Sequence, residues 1–235
     1  DKPGHHFYKG GRLGKSKIAY GELNSEFLIT ANKDLTEKFN IVVNAGGNLS
    51  KRTSESITNF GQNFKIPTKY FLSNLSDMTP PDDQPQAVKK VNSLYGSASL
   101  SYNSFLYLDI TARNDWSSTL GEDNRSFLYN SASLSVILNK FIDPEQNIFN
   151  LIKIRGSLAQ VGNDTDPYQL NQTFSVPGAG FRGLTTLSAP TVKLNPDLKP
   201  ETVTSNEFGL EFAALNNRLS VDFSIYNIVT TDLIF

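Results

Sequence analysis

The chain of 235 residues carries 22 Lys and Arg against 23 Asp and Glu, a formal net charge of −1, without the basic excess of a nucleic-acid binder. It contains no cysteine, which excludes disulfide frameworks, thiolate metal sites and cysteine nucleophiles. Hydrophobic residues make up only 38%, and no apolar run approaches the ~18 residues of a membrane helix.

Taken in chain order, the dominant signal is an apolar residue at every second position. It is weak in 18–32, where Phe27, Ile29 and Ala31 share a face, and in 38–50, with Phe39, Ile41, Val43 and Ala45. It is clear from Leu94 through Gly96, Ala98 and Leu100 to Tyr102, against Ser97, Ser99 and Ser101. Leu106, Leu108, Ile110 and Ala112 then oppose Asp109, Thr111, Arg113 and Asp115. Ala132, Leu134, Val136 and Leu138 alternate with serines, and Ile152, Ile154 and Leu158 with Lys153, Arg155 and Ser157. Phe208, Leu210 and Phe212 oppose Glu207 and Glu211. Finally Leu219, Val221, Phe223 and Ile225 oppose Ser220, Asp222 and Ser224. Eight strands are predicted, most of them longer than the ~5–6 residues of an average strand.

The polar face carries Asp109, Arg113, Arg155, Glu207, Glu211 and Asp222 in mid-strand, so one face must meet water along its whole length. The connections alternate. Residues 33–37, 103–104, 143–149 and 216–217 read as tight turns, while 51–88, 118–126 and 164–202 are longer and rich in Pro, Gly, Asn and Asp. Short turns at one end and long loops at the other describe an outer-membrane barrel, crossed by ~9–11 tilted residues per strand. A sandwich also exposes one face of each sheet but predicts no such alternation. The expected fold is therefore all-β, an antiparallel transmembrane β-barrel segment of about eight meander strands. Phe39, Tyr102, Phe105 and Phe141 lie beside short turns, and Trp116 and Phe127 beside a long loop, as two interfacial aromatic girdles would.

Four motifs fit this topology. Residues 112–120 (ARNDWSSTL) and 126–136 (SFLYNSASLSV) resemble signatures of SusC/RagA-type TonB-dependent transporters of Bacteroidetes outer membranes. Residues 153–163 (KIRGSLAQVGN) are similar to that family's K-x-R-x-S-x-x-x-x-G-N, and 195–201 (NPDLKPE) to its N-P-x-L-K-P-E segment. The resemblance spans about residues 90–235. It implies a nutrient importer for glycans or oligopeptides, coupled to TonB through a plug domain and covered by a SusD-like surface lipoprotein. Barrels of this size have about 22 strands, so residues 1–235 are expected to be an interior barrel segment, with plug and remaining strands outside it. With short turns on the periplasmic side, an even strand number puts both chain ends on the extracellular side.

Other motifs superficially suggest chemistry. Residues 178–183 (GAGFRG) fit G-x-G-x-x-G, but no helical period follows to direct an N-terminus at a pyrophosphate. His5 and His6 are adjacent on an extended segment and point opposite ways. Asn163, Asp164, Thr165 and Asp166 gather oxygens, but the calcium-loop register from Asp164 has Gln169 and Ser175 where Gly and Glu are needed. Glu207 and Glu211 are roughly 13 Å apart at ~3.3 Å per strand residue, too far for a glycosidase pair. No metal site, cofactor or enzymatic activity is expected. The six mid-strand charges read as the wall of a hydrated lumen, and Trp116, Tyr168, Phe181 and Arg182 as candidates to touch substrate. The rival readings are a small complete barrel serving as adhesin or structural protein, and a secreted β-sandwich binding module.

Overall fold

The structure is a computed structural model that describes residues 10–142, 145, 148–176 and 184–234. No helix among them is long and apolar enough to cross a membrane, which says nothing about strands. Long strands dominate: β1 (Arg12–Thr36), β2 (Phe39–Phe64), β4 (Asp82–Tyr102), β5 (Leu106–Ser117), β6 (Ser126–Ile137), β7 (Phe149–Asn163), β8 (Glu201–Ala214) and β9 (Leu219–Thr231). A short β3 (Leu75–Met78) pairs with β2. The sheet order is β1-β2-β4-β5-β6-β7-β8-β9, an antiparallel meander with β1 and β9 at its ends. Among the described residues the strands form one sheet, where a sandwich has two, and β1 is not paired with β9, as a small self-closed barrel requires.

The chain divides into two compact units, Asn24–Ser50 with Lys90–Phe235, and Asp1–Leu23 with Lys51–Lys89. In the larger unit the register matches the alternation read from the sequence. Leu100, Leu108 and Leu134 stand side by side, as do Ile154, Leu210 and Phe223. One residue along, Ser99, Asp109, Ser133, Ser157 and Glu207 form the matching row of the other face. Because the side-chain period is two, a slip of one residue would send every charge to the apolar face. The apolar side chains remain uncovered within this chain: Ile110 is 47% and Phe223 56% exposed. A sheet with one continuous apolar face and one charged face needs a different solvent on each side.

The short connections are built as hairpin turns. Asn103 and Ser104 have φ of 47° and 56°, and Leu215, Asn216 and Asn217 also lie at positive φ. Asn tolerates this region better than most residues; Ser and Leu do so less readily. Replacing Ser104 by Gly should therefore raise the temperature at which the full-length receptor unfolds on a heated SDS gel, by an amount corresponding to about 1 kcal/mol. An unchanged or lowered transition would contradict the strain argument.

The aromatic residues expected near the short turns meet one another. Phe39 and Tyr102 rings lie 4.4 Å apart, Tyr102 and Phe105 5.5 Å, and Phe105 and Phe141 5.1 Å. Phe141 is carried by a single helical turn, α1 (Asn139–Ile142). Buried Asn139 holds that turn in place, donating to the Asn150 carbonyl and accepting from the Ile152 amide, both at 2.6 Å.

The smaller unit corrects one expectation. Residues 51–88 are not a long loop: β2 continues to Phe64, β3 follows, and β4 starts at Asp82. Ser16 and Thr58 share a hydroxyl hydrogen bond of 2.9 Å, and the Arg12 guanidinium lies 4.6 Å from the Phe60 ring centroid. The signal was hidden because both faces of 51–56 (KRTSES) are polar, so these residues form strand without an apolar period. The true connection is 65–81. It is organised by Asn74, 3% exposed, which accepts from the Ile66 amide and donates to the Ile66 and Lys69 carbonyls.

Candidate functional site

The polar face of the larger unit carries the groups able to meet a solute. Towards the long connections, Arg113 Nε donates to Asp115 Oδ1 (2.8 Å) and Nη2 to Ser93 Oγ (2.9 Å). Tyr129 donates to the other Asp115 oxygen at 2.8 Å. The Arg113 guanidinium sits 5.6 Å from the Tyr95 ring centroid, and the Tyr95 hydroxyl donates to Glu26. Four strands thus supply one network of two carboxylates around one guanidinium and two phenols. Leu28, Asn44, Tyr95, Arg113, Tyr129 and Gln160 line an open trough across it.

Below this network, short uncharged side chains bridge neighbouring strands. Thr30 donates to Asn44 (2.7 Å), Asn44 to Ser97 (3.0 Å), and Thr111 and Ser131 share a bond of 2.7 Å. Asp109 accepts from Ser99 at 2.5 Å.

A second charged group occupies β7, β8 and β9. Arg155 reaches Asp222 at 3.0 Å, Glu207 at 3.6 Å, Glu211 at 3.8 Å and Ser224 Oγ at 2.7 Å. Lys153 meets Glu211 at 3.6 Å. Arg155 spans β8 because Gly209 stands directly opposite it. A Cβ there would come within 2.5 Å of Arg155 Nε, so the missing side chain is what lets the guanidinium lie flat across β8 and reach β9.

The predicted wall residues Asp109, Arg113, Arg155, Glu207, Glu211 and Asp222 all stand on this one face. The structure gathers Arg155, Glu207, Glu211 and Asp222 into one cluster, places Arg113 in the other, and gives Asp109 to Ser99. Glu207 and Glu211 both face Arg155, so each is engaged by a cation rather than set as an acid and base. Trp116 follows Asp115 in β5, opposite Asn92 and Ser126 in register, and so stands on the apolar face. Phe127, expected in a girdle with Trp116, instead lies on the polar face, 6.2 Å from the Tyr129 ring. The ring occupies space that a Cβ on Gly162 would need, at 2.5 Å. Tyr168 is exposed in the connection after β7, with φ 65°. Phe181, Arg182, the rest of GAGFRG, and His5 and His6 lie outside the described residues. Among the described residues, no three His, Asp or Glu side chains are placed to hold a metal ion.

Glu26, Asn44, Tyr95 and Tyr129 belong to the site and were not singled out from the sequence. The signal for Tyr95 was its place between Leu94 and Gly96, which puts it on the polar face. Gly46, whose Cβ would meet the Tyr95 ring at 2.7 Å, was the matching trace in β2.

The TonB dependent receptor-like β-barrel family matches residues 7–235 of this chain. Among curated proteins, TonB-dependent receptor P26 of Formosa agariphila is 24% identical, over 96% of this chain and 23% of its own length. TonB-dependent receptor P3 of the same organism is 30% identical over 61% of this chain and 15% of its own length. Among solved structures, the RagAB peptide transporter aligns with a TM-score of 0.76 at 23% identity, covering 92% of this chain and 24% of that one. The RagAB peptide importer in its open-open state gives 0.74 over the same shares. The chain thus spans about a quarter of the length of P26 and of the RagAB chains, and 15% of P3. With a family match over nearly its whole length, a single antiparallel meander and two faces of opposite polarity, the chain belongs to the TonB-dependent receptors and forms part of their outer-membrane β-barrel.

Proposed function

We propose that this chain is a section of the wall of a TonB-dependent importer, and that the importer carries a hydrophilic nutrient, an oligopeptide or a glycan, across the outer membrane. The observation that carries this reading is the polar face: charged networks at two levels, joined by bridged hydroxyls and carboxamides, on strands whose reverse face is apolar. Such a face suits a water-filled lumen, where Asp109, Arg113, Arg155, Glu207, Glu211 and Asp222 would stay hydrated. The wall makes and breaks no bonds; its work is to keep a wide passage wet while a plug, coupled to TonB, opens and closes it. A SusD-like lipoprotein over the long connections is the expected partner, and Tyr168, Phe181 and Arg182 on the 164–200 connection are the proposed cargo contacts. Trp116, on the apolar face, fits an anchor at the membrane interface better than a cargo contact. The likeness to a peptide importer favours oligopeptide over glycan.

The test is uptake by cells carrying or lacking the full-length receptor, given a fluorescein-labelled casein digest or a labelled oligosaccharide mixture. Receptor-dependent accumulation of the peptides, abolished by an uncoupler of the inner-membrane proton gradient, is expected. Equal accumulation with and without the receptor, or uptake indifferent to the uncoupler, would overturn the import reading. Accumulation of the oligosaccharides alone would overturn the choice of cargo.

A further inference from the structure

Three segments that are far apart in the sequence, 112–120, 153–163 and 195–201, converge at the long-connection end of the sheet. Here β5 ends and the chain returns to β6 through 118–125. This connection is itself well held. Ser118 N donates to the Lys90 carbonyl and Lys90 N to Ser118 Oγ, both at 2.9 Å. Asn124 N and Arg125 N both donate to the Gly121 carbonyl, at 3.0 and 2.8 Å. Ser117 and Thr119 are each 2% exposed and Leu120 4%, in a chain whose strands are mostly open on both faces.

The two buried hydroxyls serve a residue of another connection. Ser117 Oγ donates to the Asp164 carboxylate, and Thr119 Oγ1 donates to the same oxygen at 3.2 Å. Asp164 is the first residue after β7, and therefore one foot of the 164–200 connection. The other foot is fastened to the same 118–125 connection. Asn124 Nδ2 donates to the Asp197 carbonyl at 3.2 Å, and the Asp197 amide donates to Asn195 Oδ1 at 3.0 Å. A Cβ on Gly121 would lie 3.2 Å from the Pro196 carbonyl, so the approach is close. Further along, Gln172 ties the two legs together, donating to the Val192 carbonyl (2.9 Å) and accepting from the Leu194 amide (3.0 Å). Ser175 and Ser188 exchange backbone hydrogen bonds at 3.1 and 2.8 Å.

We infer that residues 117–124, 164 and 195–197 form a clamp that makes the two described legs of the 164–200 connection, 164–176 and 184–197, a preformed arm, with Asp164 and Asn124 as its positioning residues. The physical gain is preorganisation. A free loop of this length loses conformational entropy when it engages a ligand, whereas one fixed at both feet and cross-tied has already lost much of it. Asp164 suits the task because a carboxylate accepts from both hydroxyls at once, and a hydrogen bond to a charged acceptor is stronger than a neutral one. The clamp thus draws on the ends of three strands: a hydroxyl pair where β5 ends, an Asp directly after β7, and a backbone carbonyl offered just before β8. That the arm then meets cargo rests on the import reading; the clamp itself does not.

The test is proteinase K cleavage within 165–195 of the detergent-purified full-length receptor. Asp164→Ala and Asn124→Ala are each expected to speed cleavage about tenfold. Asp164→Asn, which keeps an acceptor, should restore part of the protection. Asp166→Ala removes the same charge from the same connection at an exposed position and should change nothing. Equal rates in wild type, Asp164→Ala and Asn124→Ala, or an equal effect from Asp166→Ala, would overturn the clamp. Should Asp164→Ala fail to assemble, Asn124→Ala decides alone. Cleavage in detergent is independent of membrane sidedness and uptake, so the clamp and the import reading can fail separately.

Discussion

Arginine at position 110 should cut the amount of receptor assembled in the outer membrane at least tenfold, while arginine at position 111 should leave it within about twofold of wild type. The two positions are neighbours near the middle of β5 and differ only in face. Ile110 lies between Ala98 and Ala132, and Thr111 between Ser97 and Ser131. A cation on the lipid side near mid-depth costs ~2–4 kcal/mol. On the other face the new guanidinium would have water, serine hydroxyls and the Asp109 carboxylate within reach. The readout is heat-modifiable receptor in outer-membrane fractions. Equal yields for Ile110→Arg and Thr111→Arg would mean that the two faces do not meet different solvents.

The second large effect belongs to Gly46. A Cβ there would stand 2.6 Å from the Phe27 carbonyl oxygen and 2.7 Å from the Tyr95 ring. The ring can turn, but the carbonyl is backbone of the neighbouring strand, so β1 and β2 would have to part locally. Gly46→Val should lower stability by about 1–3 kcal/mol, seen as an earlier unfolding transition on heated gels. Gly96 is the control. Its nearest contact would be the Asn44 carbonyl at 3.4 Å, ordinary van der Waals distance, so Gly96→Ala should be nearly neutral. If both substitutions behave alike, the close approach at Gly46 is not what fixes glycine there.

Where alternation was strong, the strands were legible in the sequence. The run from Leu94 to Tyr102 and the run from Phe208 to Phe212 fall in β4 and β8 with the faces that their period implied. Alternation works for these strands because one face is apolar over its length and the other is polar over its length, with serines in β4 and with Glu207 and Glu211 in β8. It fails for 51–56, where both faces are polar and strand formation depends on pairing with β1. The same limit hid the partners of the site. Arg113 and Arg155 were visible as charges, but Glu26 meets Tyr95, and Arg155 meets Asp222, only through registers that span several strands. Trp116 and Phe127 show the finer difficulty. Both flank a long connection and both are aromatic, yet the parity of β5 sends Trp116 to the apolar face and that of β6 sends Phe127 to the polar one.

A wall with lipid on one side and water on the other is tested most directly by single-cysteine labelling, which reads both faces at once. The chain contributes no cysteine of its own, so Ser97, Thr111 and Ser133, and separately Ala98, Ile110 and Leu134, can each be replaced by cysteine in the full-length receptor. A fluorophore at each position is then tested in membranes with a water-soluble quencher and with bromine-labelled lipid. Water-phase quenching is expected at 97, 111 and 133 and lipid-phase quenching at 98, 110 and 134, alternating residue by residue. Lipid quenching at the serine and threonine positions, or no difference between neighbours, would contradict it.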